Sequence, residues 1–365
     1  MTRAPALEAL PIKPVLCQPD GIEPSGVAPL PRSVPPAAAD PAQLFAPGAQ
    51  CPHEPLLLRG AAAHWPVAQA ATQGPAAVLA LLRDLGSAAP LDVSVLPPQE
   101  HGRFHYAPDL RHFNFTRERI TLPQLLDRIE AEWRAPSGLA IAGQGVLAGQ
   151  VMPRFAAAHP LPLLPGAGEA RLWIGTRAQV AAHSDPAPNL AYAAAGRRRF
   201  TLYPPEQVGN LYMGPFDPTP AGTPIAMTDP LSPDLTRYPR FAAACEAAWI
   251  AELEPGDAIY IPYGWFHHVE ALDPVSMLVN FWWHPPVPTQ ASAWDAMLHG
   301  MLALRPLSPE ARRHWSAMFA HYVFEQDGPA GAHLPVEARG VLDARGAQDL
   351  AAMQRMLIAA LTRKA

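Results

Sequence analysis

The hydrophobic and polar positions of this chain change their pattern at about residue 138. From there to about residue 284, short apolar runs such as RLWIGT, DAIYIP and VSMLVNFWW alternate with turns rich in Pro and Gly. Strands of this length and spacing are typical of an all-β barrel or sandwich, and not of a parallel sheet with crossover helices. Pro255-Gly256-Asp257, between two of the runs, predicts a tight turn. We therefore expect a mainly β core.

Helical periodicity flanks this β-region on both sides. Upstream, residues 75–86 and the segment LPQLLDRIEAEW behind Thr121 place their apolar residues on one helix face. Downstream of Pro288, apolar residues recur at i, i+3, i+4 and i+7 from Trp294 and again from Trp315. Two such helices at the end of a β-domain have to cover something, which is either the barrel itself or a second copy of the chain.

The chain divides into three segments of different composition. Residues 1–50 are rich in Pro and Ala, and because Pro fixes φ and removes a backbone donor, they predict an extended arm over a domain surface. Residues 51–285 form the expected domain, with its β-core at about 138–284. Residues 286–365 form a C-terminal helical region, which we expect to hold a homodimer together.

The composition of the chain limits the binding partners and the cellular compartment that we expect for the protein. The formal net charge of -5 offers no general attraction to nucleic acid or to an anionic membrane. The N-terminal sequence lacks the apolar stretch of a secretory signal, and no run approaches the roughly 18 apolar residues that span a bilayer. Cys17, Cys51 and Cys245 include no Cys-x-x-Cys pair, which indicates three reduced thiols and no structural zinc site. We therefore expect a cytoplasmic protein.

The segment VAAHSD carries the candidate metal chemistry. In a strand, residues two apart point to the same face, so His183 and Asp185 can bind one ion side by side. Two His and one carboxylate form the facial triad that leaves positions open on Fe(II). A distant strand would supply the third ligand, as His267 or His268 of IPYGWFHHVE. The alternative is that His183 and Asp185 are two polar residues at the surface.

The strand RRRFTLY supplies a candidate anion site. Arg198 shares one strand face with Phe200 and Leu202, whereas Arg197 and Arg199 lie on the other face. A buried guanidinium is costly unless an anion pairs with it, and Arg can bind a carboxylate through two parallel hydrogen bonds. Arg198 is therefore the candidate for binding a dicarboxylate cosubstrate. The alternative is that all three arginines are solvated.

As a set, these residues resemble the cupin-like (cupin-8) branch of the JmjC-type oxygenases, which includes the asparaginyl hydroxylase of a hypoxia-inducible transcription factor. The resemblance covers about residues 50–285. It rests on PLLLRG followed by HWP, GRFHY, HSD, GRRRFTLYPP, PGD, YIP, WFH and NFWW. It implies a double-stranded β-helix (jelly-roll) fold with flanking helices. It also implies an Fe(II)- and 2-oxoglutarate-dependent hydroxylase, whose substrate is a protein, a peptide, an RNA or a small molecule.

The resemblance also implies the iron ligands. His183, Asp185 and His267 match the family's ligand positions. His267 is preferred to His268 because the family's ligand His stands two residues after a Trp, which is Trp265 here.

The cosubstrate contacts match the family less completely. Asn189 and Asn280 match polar residues near 2-oxoglutarate, and Arg198 falls where the family usually has a Lys that pairs with the far carboxylate. Val180, however, replaces a hydroxyl residue that binds this carboxylate, and residues 140–142, Ala-Ile-Ala, replace a Tyr-x-Gln. Each lost bond to a charged group is worth about 1.5–3 kcal/mol. A second hypothesis follows, a metal-binding cupin that serves as a sensor or enzyme without 2-oxoglutarate.

Overall fold

The chain forms two compact units, Met1–His284 and Pro285–Ala365. The computed structural model describes residues 31–37, 51–160, 168–282, 292–343 and 346–362. Among these residues, no helix is long and apolar enough to cross a membrane.

The first unit is a double-stranded β-helix built from two β-sheets. Its strands are β1 (Arg32–Ser33), β2 (Leu56–Leu58), β3 (Pro90–Leu96), β4 (Arg103–Phe104), β5 (Thr116–Thr121), β6 (Ala140–Leu147), β7 (Arg171–Gly175), β8 (Ala178–Ser184), β9 (Asn189–Ala195), β10 (Arg198–Tyr203), β11 (Trp249–Leu253), β12 (Ala258–Ile261), β13 (Phe266–Ala271) and β14 (Ser276–Trp282). The six-stranded sheet has the order β1-β11-β10-β13-β8-β4, and the eight-stranded sheet has the order β2-β12-β9-β14-β7-β6-β3-β5. The prediction of a mainly β jelly roll is confirmed.

Alternating residues of both sheets fill the space between them. Phe200 and Leu202 of β10 share one buried cluster with Ala191 of β9 and Leu278 of β14. Because side chains alternate along a strand, this burial leaves Arg197 and Arg199 on the outer face of the six-stranded sheet. The prediction that Phe200 and Leu202 lie on the inward face of β10 is therefore correct.

Short helices cover the outer faces of the two sheets. They are α1 (Pro66–Gln73), α2 (Pro75–Leu85), α3 (Leu122–Arg134), α4 (Ala148–Val151), α5 (Phe155–Ala158) and α6 (Phe241–Glu246). Leu82 of α2 and Leu125 of α3 pack in one cluster with Ile174 of the eight-stranded sheet. Helix α3 begins as predicted behind Thr121, whose backbone N–H donates to Gln124 Oε1 at 2.9 Å.

The turn between β11 and β12 has the predicted form. Gly256 has a φ of 96°, a backbone conformation that favours glycine. The backbone N–H of Asp257 donates to the carbonyl of Glu254 at 3.0 Å, which closes the turn.

Part of the Pro- and Ala-rich segment lies along the β-domain. Strand β1 pairs in parallel with β11, and Pro36 forms a bridge with Leu57. The rest of the predicted arm, residues 1–30 and 38–50, lies outside the described residues. Cys51 is a free thiol but Cys245 is disulfide-bonded, so the expectation of three reduced thiols is wrong for Cys245.

Where the structure describes the second unit, it contains three long helices, α7 (Ala293–Leu304), α8 (Pro309–Tyr322) and α9 (Ala347–Thr362). The two helices predicted after Pro288 are present, and Ser308 Oγ accepts a hydrogen bond from the backbone N–H of Ala311 at 3.2 Å. Many of the large apolar side chains of α7 and α8 are exposed. Among them are Trp294, Met297, Leu298, Leu302, Trp315 and Tyr322.

Candidate metal centre

Three candidate ligands meet in the interior of the first unit. His183 stands directly opposite His267 in the β8–β13 ladder, and opposite residues of a ladder share one face. Asp185 follows at the end of β8. One potential ligand atom from each of the three side chains lies within 4.8 Å of the others. His267 Nε2 is 3.5 Å from Asp185 Oδ2.

Both imidazoles are oriented by backbone carbonyls. His183 Nδ1 is 2.9 Å from the carbonyl oxygen of Ala181, and His267 Nδ1 is 3.4 Å from that of Trp265. Because a carbonyl only accepts, each Nδ1 carries the proton and each Nε2 presents a lone pair. Burial lowers the pKa of His267 to about 4, so its imidazole is neutral at pH 7. This donor set fits a divalent first-row metal such as Fe(II).

A chain of three hydrogen bonds holds the carboxylate of this site. Asn189 Nδ2 donates to Asp185 Oδ2 at 2.7 Å, and Asn280 Nδ2 donates to Asn189 Oδ1 at 3.2 Å. Trp173 Nε1 donates to Asn280 Oδ1 at 2.8 Å. Asn189 and Asn280 were predicted to lie near the cosubstrate, and in the structure they support the aspartate. Trp173 was not predicted, because RLWIGT indicates a strand but not which distant residues lie opposite it.

His268 lies apart from this group. Successive side chains of β13 point to opposite faces, so His268 faces away from His267, and its Nε2 is 3.3 Å from Gln179 Oε1. It stands opposite Thr201 in the β10–β13 ladder. The structure therefore brings His267, and not His268, to His183 and Asp185.

Arg198 lies on the same sheet face as the three ligands. In the β10–β13 ladder, Arg198 stands opposite Ala271 and Leu202 stands opposite His267, so both face the interior. Arg198 is 8% exposed, and one of its terminal nitrogens donates to the carbonyl of Trp173 at 3.2 Å. Its Nε is buried without a partner among the described residues. Burial lowers its pKa to about 10, so the guanidinium remains charged at pH 7.

The two positions that depart from the family pattern carry no polar side chain. Val180 stands opposite Val269 in the β8–β13 ladder and lines a cavity of about 310 Å³. Ala140 is buried in a cluster with Phe104 and Phe115. Arg198 is therefore a buried positive charge on the same face as the three ligands, and it forms no ion pair among the described residues.

A double-stranded β-helix with a His-x-Asp pair and a distant His in its interior is a cupin fold with a candidate metal centre. The chain belongs to the cupin-like domain family, whose model matches residues 41–289. It is 28% identical over 269 residues to the human "Bifunctional peptidase and (3S)-lysyl hydroxylase JMJD7", an alignment that covers 64% of this chain and 78% of that protein. The predicted relation to the JmjC-type branch is confirmed.

Other relatives share a shorter region. The human "HSPB1-associated protein 1" is 35% identical over 116 residues, which cover 31% of this chain and 23% of that protein. The "Lysine-specific demethylase JMJ31" of Arabidopsis thaliana is 33% identical over 113 residues, which cover 30% of this chain and 20% of that protein. The chain thus spans less than a third of the length of these relatives.

Proposed function

We propose that this protein is an Fe(II)- and 2-oxoglutarate-dependent oxygenase that hydroxylates its substrate. The observation that carries the proposal is the convergence of His183, Asp185 and His267 in an interior that also buries Arg198, which forms no ion pair within the described part of the chain. The relatives named as a hydroxylase and a demethylase support the same activity.

Each residue of the site has a distinct part in this activity. The Nε2 atoms of His183 and His267 and the carboxylate of Asp185 would hold Fe(II) on one side, with further coordination positions left open. When bound, the metal and cosubstrate supply the oxidative chemistry. Asn189 fixes the rotamer of Asp185, and Arg198 binds the far carboxylate of 2-oxoglutarate. The apolar walls between the sheets exclude water from the site.

A second candidate function is a metal-binding cupin that does not use 2-oxoglutarate. The observation that favours it is the apolar character of Val180 and Ala140, which leaves the cosubstrate without two donors of the family pattern. If each bond contributes about 1.5–3 kcal/mol, their loss lowers the affinity substantially.

Anaerobic titration of the Fe(II)-loaded protein with 2-oxoglutarate distinguishes the two candidates. We expect a saturable metal-to-ligand charge-transfer band, because chelation by a 2-oxo acid places an acceptor group on Fe(II). The Zn(II)-loaded protein is the control and shows no band, since its filled d shell has no comparable transition. A protein that binds Fe(II) with full occupancy but gives no band at millimolar 2-oxoglutarate would favour the second candidate.

The substrate is best sought among proteins and peptides. Two relatives, named as a lysyl hydroxylase and a lysine-specific demethylase, support a protein or peptide substrate over RNA or a small molecule. The cytoplasmic location stays a prediction from the sequence.

We also propose that the protein is a homodimer held by α7 and α8. Their exposed apolar side chains form a stripe that water solvates poorly, and Leu302 is 71% exposed. Light scattering of the full chain should give twice the monomer mass, and Leu298→Lys combined with Leu302→Lys should give the monomer. The control is Arg313→Lys on α8, which keeps the charge. A monomeric wild type at micromolar concentration contradicts the proposal.

A further inference from the structure

The inner face of the eight-stranded sheet carries two arginines, whereas the metal-ligand histidines belong to the six-stranded sheet. Arg171 stands opposite Asn280 in the β7–β14 ladder, so it shares a face with the hydrogen-bond chain that ends on Asp185. Arg117 of β5 stands opposite Ser94 of β3. The ladders through β6 and β7 place Ser94 on this same face.

Both arginines line the cavity that Val180 also lines. It has a volume of about 310 Å³, and its wall combines charged and aromatic side chains. The charged and aromatic side chains include Phe115, Arg117, Arg171, Trp173 and Trp282. Val180 stands opposite Val269 and His183 stands opposite His267, with a β-bulge in β8 between them, so the two residues share one face about 7 Å apart along the ladder. The cavity is therefore within reach of a substrate that enters the metal site.

The two arginines contact aromatic rings and backbone carbonyls in this cavity. Arg171 stacks over the ring of Trp282 at 4.9 Å, and Arg117 stacks over that of Phe115 at 5.7 Å. Their hydrogen bonds, at 3.3 and 3.4 Å, go to the backbone carbonyls of Gly145 and Pro220.

Among the described residues, neither arginine forms an ion pair. Asp92, the one carboxylate on the described wall of the cavity, is paired with Arg119 at 3.5 Å. Trp282 Nε1 is buried and has no hydrogen-bond partner in the described part of the chain.

We propose that Arg117 and Arg171 form a subsite for a carboxylate of the substrate, and that the substrate is an acidic peptide. A guanidinium matches a carboxylate in geometry and binds it through two hydrogen bonds, while the rings of Phe115 and Trp282 contact the aliphatic part of a Glu side chain. The inference deepens the proposed function and rests on it. Since an extended chain advances about 3.3–3.6 Å per residue, the separation of about 7 Å between Val180 and His183 corresponds to about two positions between the acidic residue and the residue that reacts.

Peptide binding to the full Mn(II)-loaded chain tests this subsite. The probes are fluorescein-labelled tetraglutamate and tetraglutamine, each measured by fluorescence polarisation with and without 2-oxoglutarate. We expect tetraglutamate to bind at least tenfold more tightly than tetraglutamine. Arg117→Gln and Arg171→Gln should each weaken tetraglutamate about tenfold, because a charge-assisted hydrogen bond is lost.

Arg237→Gln is the matched control. Arg237 is exposed and stacks over the ring of Tyr238 at 5.2 Å, but it does not line the cavity. An equal effect of Arg237→Gln, or equal affinities for the two peptides, would overturn the proposal. A loss of 2-oxoglutarate affinity in Arg171→Gln with unchanged peptide affinity would also overturn it, because the arginines would then serve the cosubstrate. If the wild type binds tetraglutamate through these arginines but has no 2-oxoglutarate affinity, the subsite stands and the proposed oxygenase fails.

Discussion

His183→Ala, Asp185→Ala and His267→Ala will each abolish stoichiometric Fe(II) binding, whereas His268→Ala will retain it. Each of the first three changes removes one of the three ligands of the cluster, and no further His, Cys, Asp or Glu among the described residues belongs to it. His268 points away from this cluster, so its loss leaves the ligands in place. Anaerobic reconstitution followed by elemental analysis of the four purified variants measures the occupancy.

The hydrogen bond that Asn189 donates to Asp185 provides a control with a smaller expected effect. Asn189→Ala should weaken Fe(II) binding by about 10–100-fold without abolishing it, the usual effect of removing a group that orients a ligand. Far-ultraviolet circular dichroism of every variant checks that the fold is retained. Full iron occupancy in His267→Ala, or an iron-free His268→Ala with native dichroism, would move the third ligand away from His267.

Arg198→Met will leave Fe(II) binding intact and weaken 2-oxoglutarate by about 2–5 kcal/mol, the typical cost of removing one partner of a buried charge pair. The guanidinium is 8% exposed and its Nε lacks a partner among the described residues. A carboxylate of the cosubstrate therefore gains both a counter-charge and a free donor. Isothermal titration on the Mn(II)-substituted protein measures the affinity without turnover.

Two neighbouring arginines on the same strand are matched controls for Arg198. Arg197 pairs with Asp273 at 3.0 Å and Arg199 pairs with Glu252 at 2.7 Å, both on the outer face of the sheet. Arg197→Met and Arg199→Met should therefore leave the 2-oxoglutarate affinity nearly unchanged. Restoring a hydroxyl with Val180→Thr should increase it.

If the wild type shows no affinity for 2-oxoglutarate and Arg198→Met behaves like Arg197→Met, the oxygenase proposal fails. The metal-binding cupin then takes its place. The metal-ligand variants are independent of this outcome, because Fe(II) binding does not require the cosubstrate. The two sets of experiments therefore separate a failure of the metal site from a failure of the cosubstrate site.

Local patterns in the sequence determined the β-class of the domain and the orientation of individual side chains. A strand repeats every two residues, so the spacing of His183 and Asp185 placed them on one face, and burial of Phe200 and Leu202 oriented Arg198 inward. The alternation of apolar and polar residues within a short segment decides these features, and the structure agrees with both predictions.

The partners across the sheets were decided only by the tertiary structure. From spacing alone, His267 and His268 were equivalent, and the ladder register that sets His267 opposite His183 selected between them. Trp173 and Asn280 are 107 residues apart in the chain and form one hydrogen bond, and Arg117 and Arg171 come from different strands to line one cavity. A local pattern specifies which face a residue occupies. The partner strand and its register depend on how the whole chain packs, which no short segment contains.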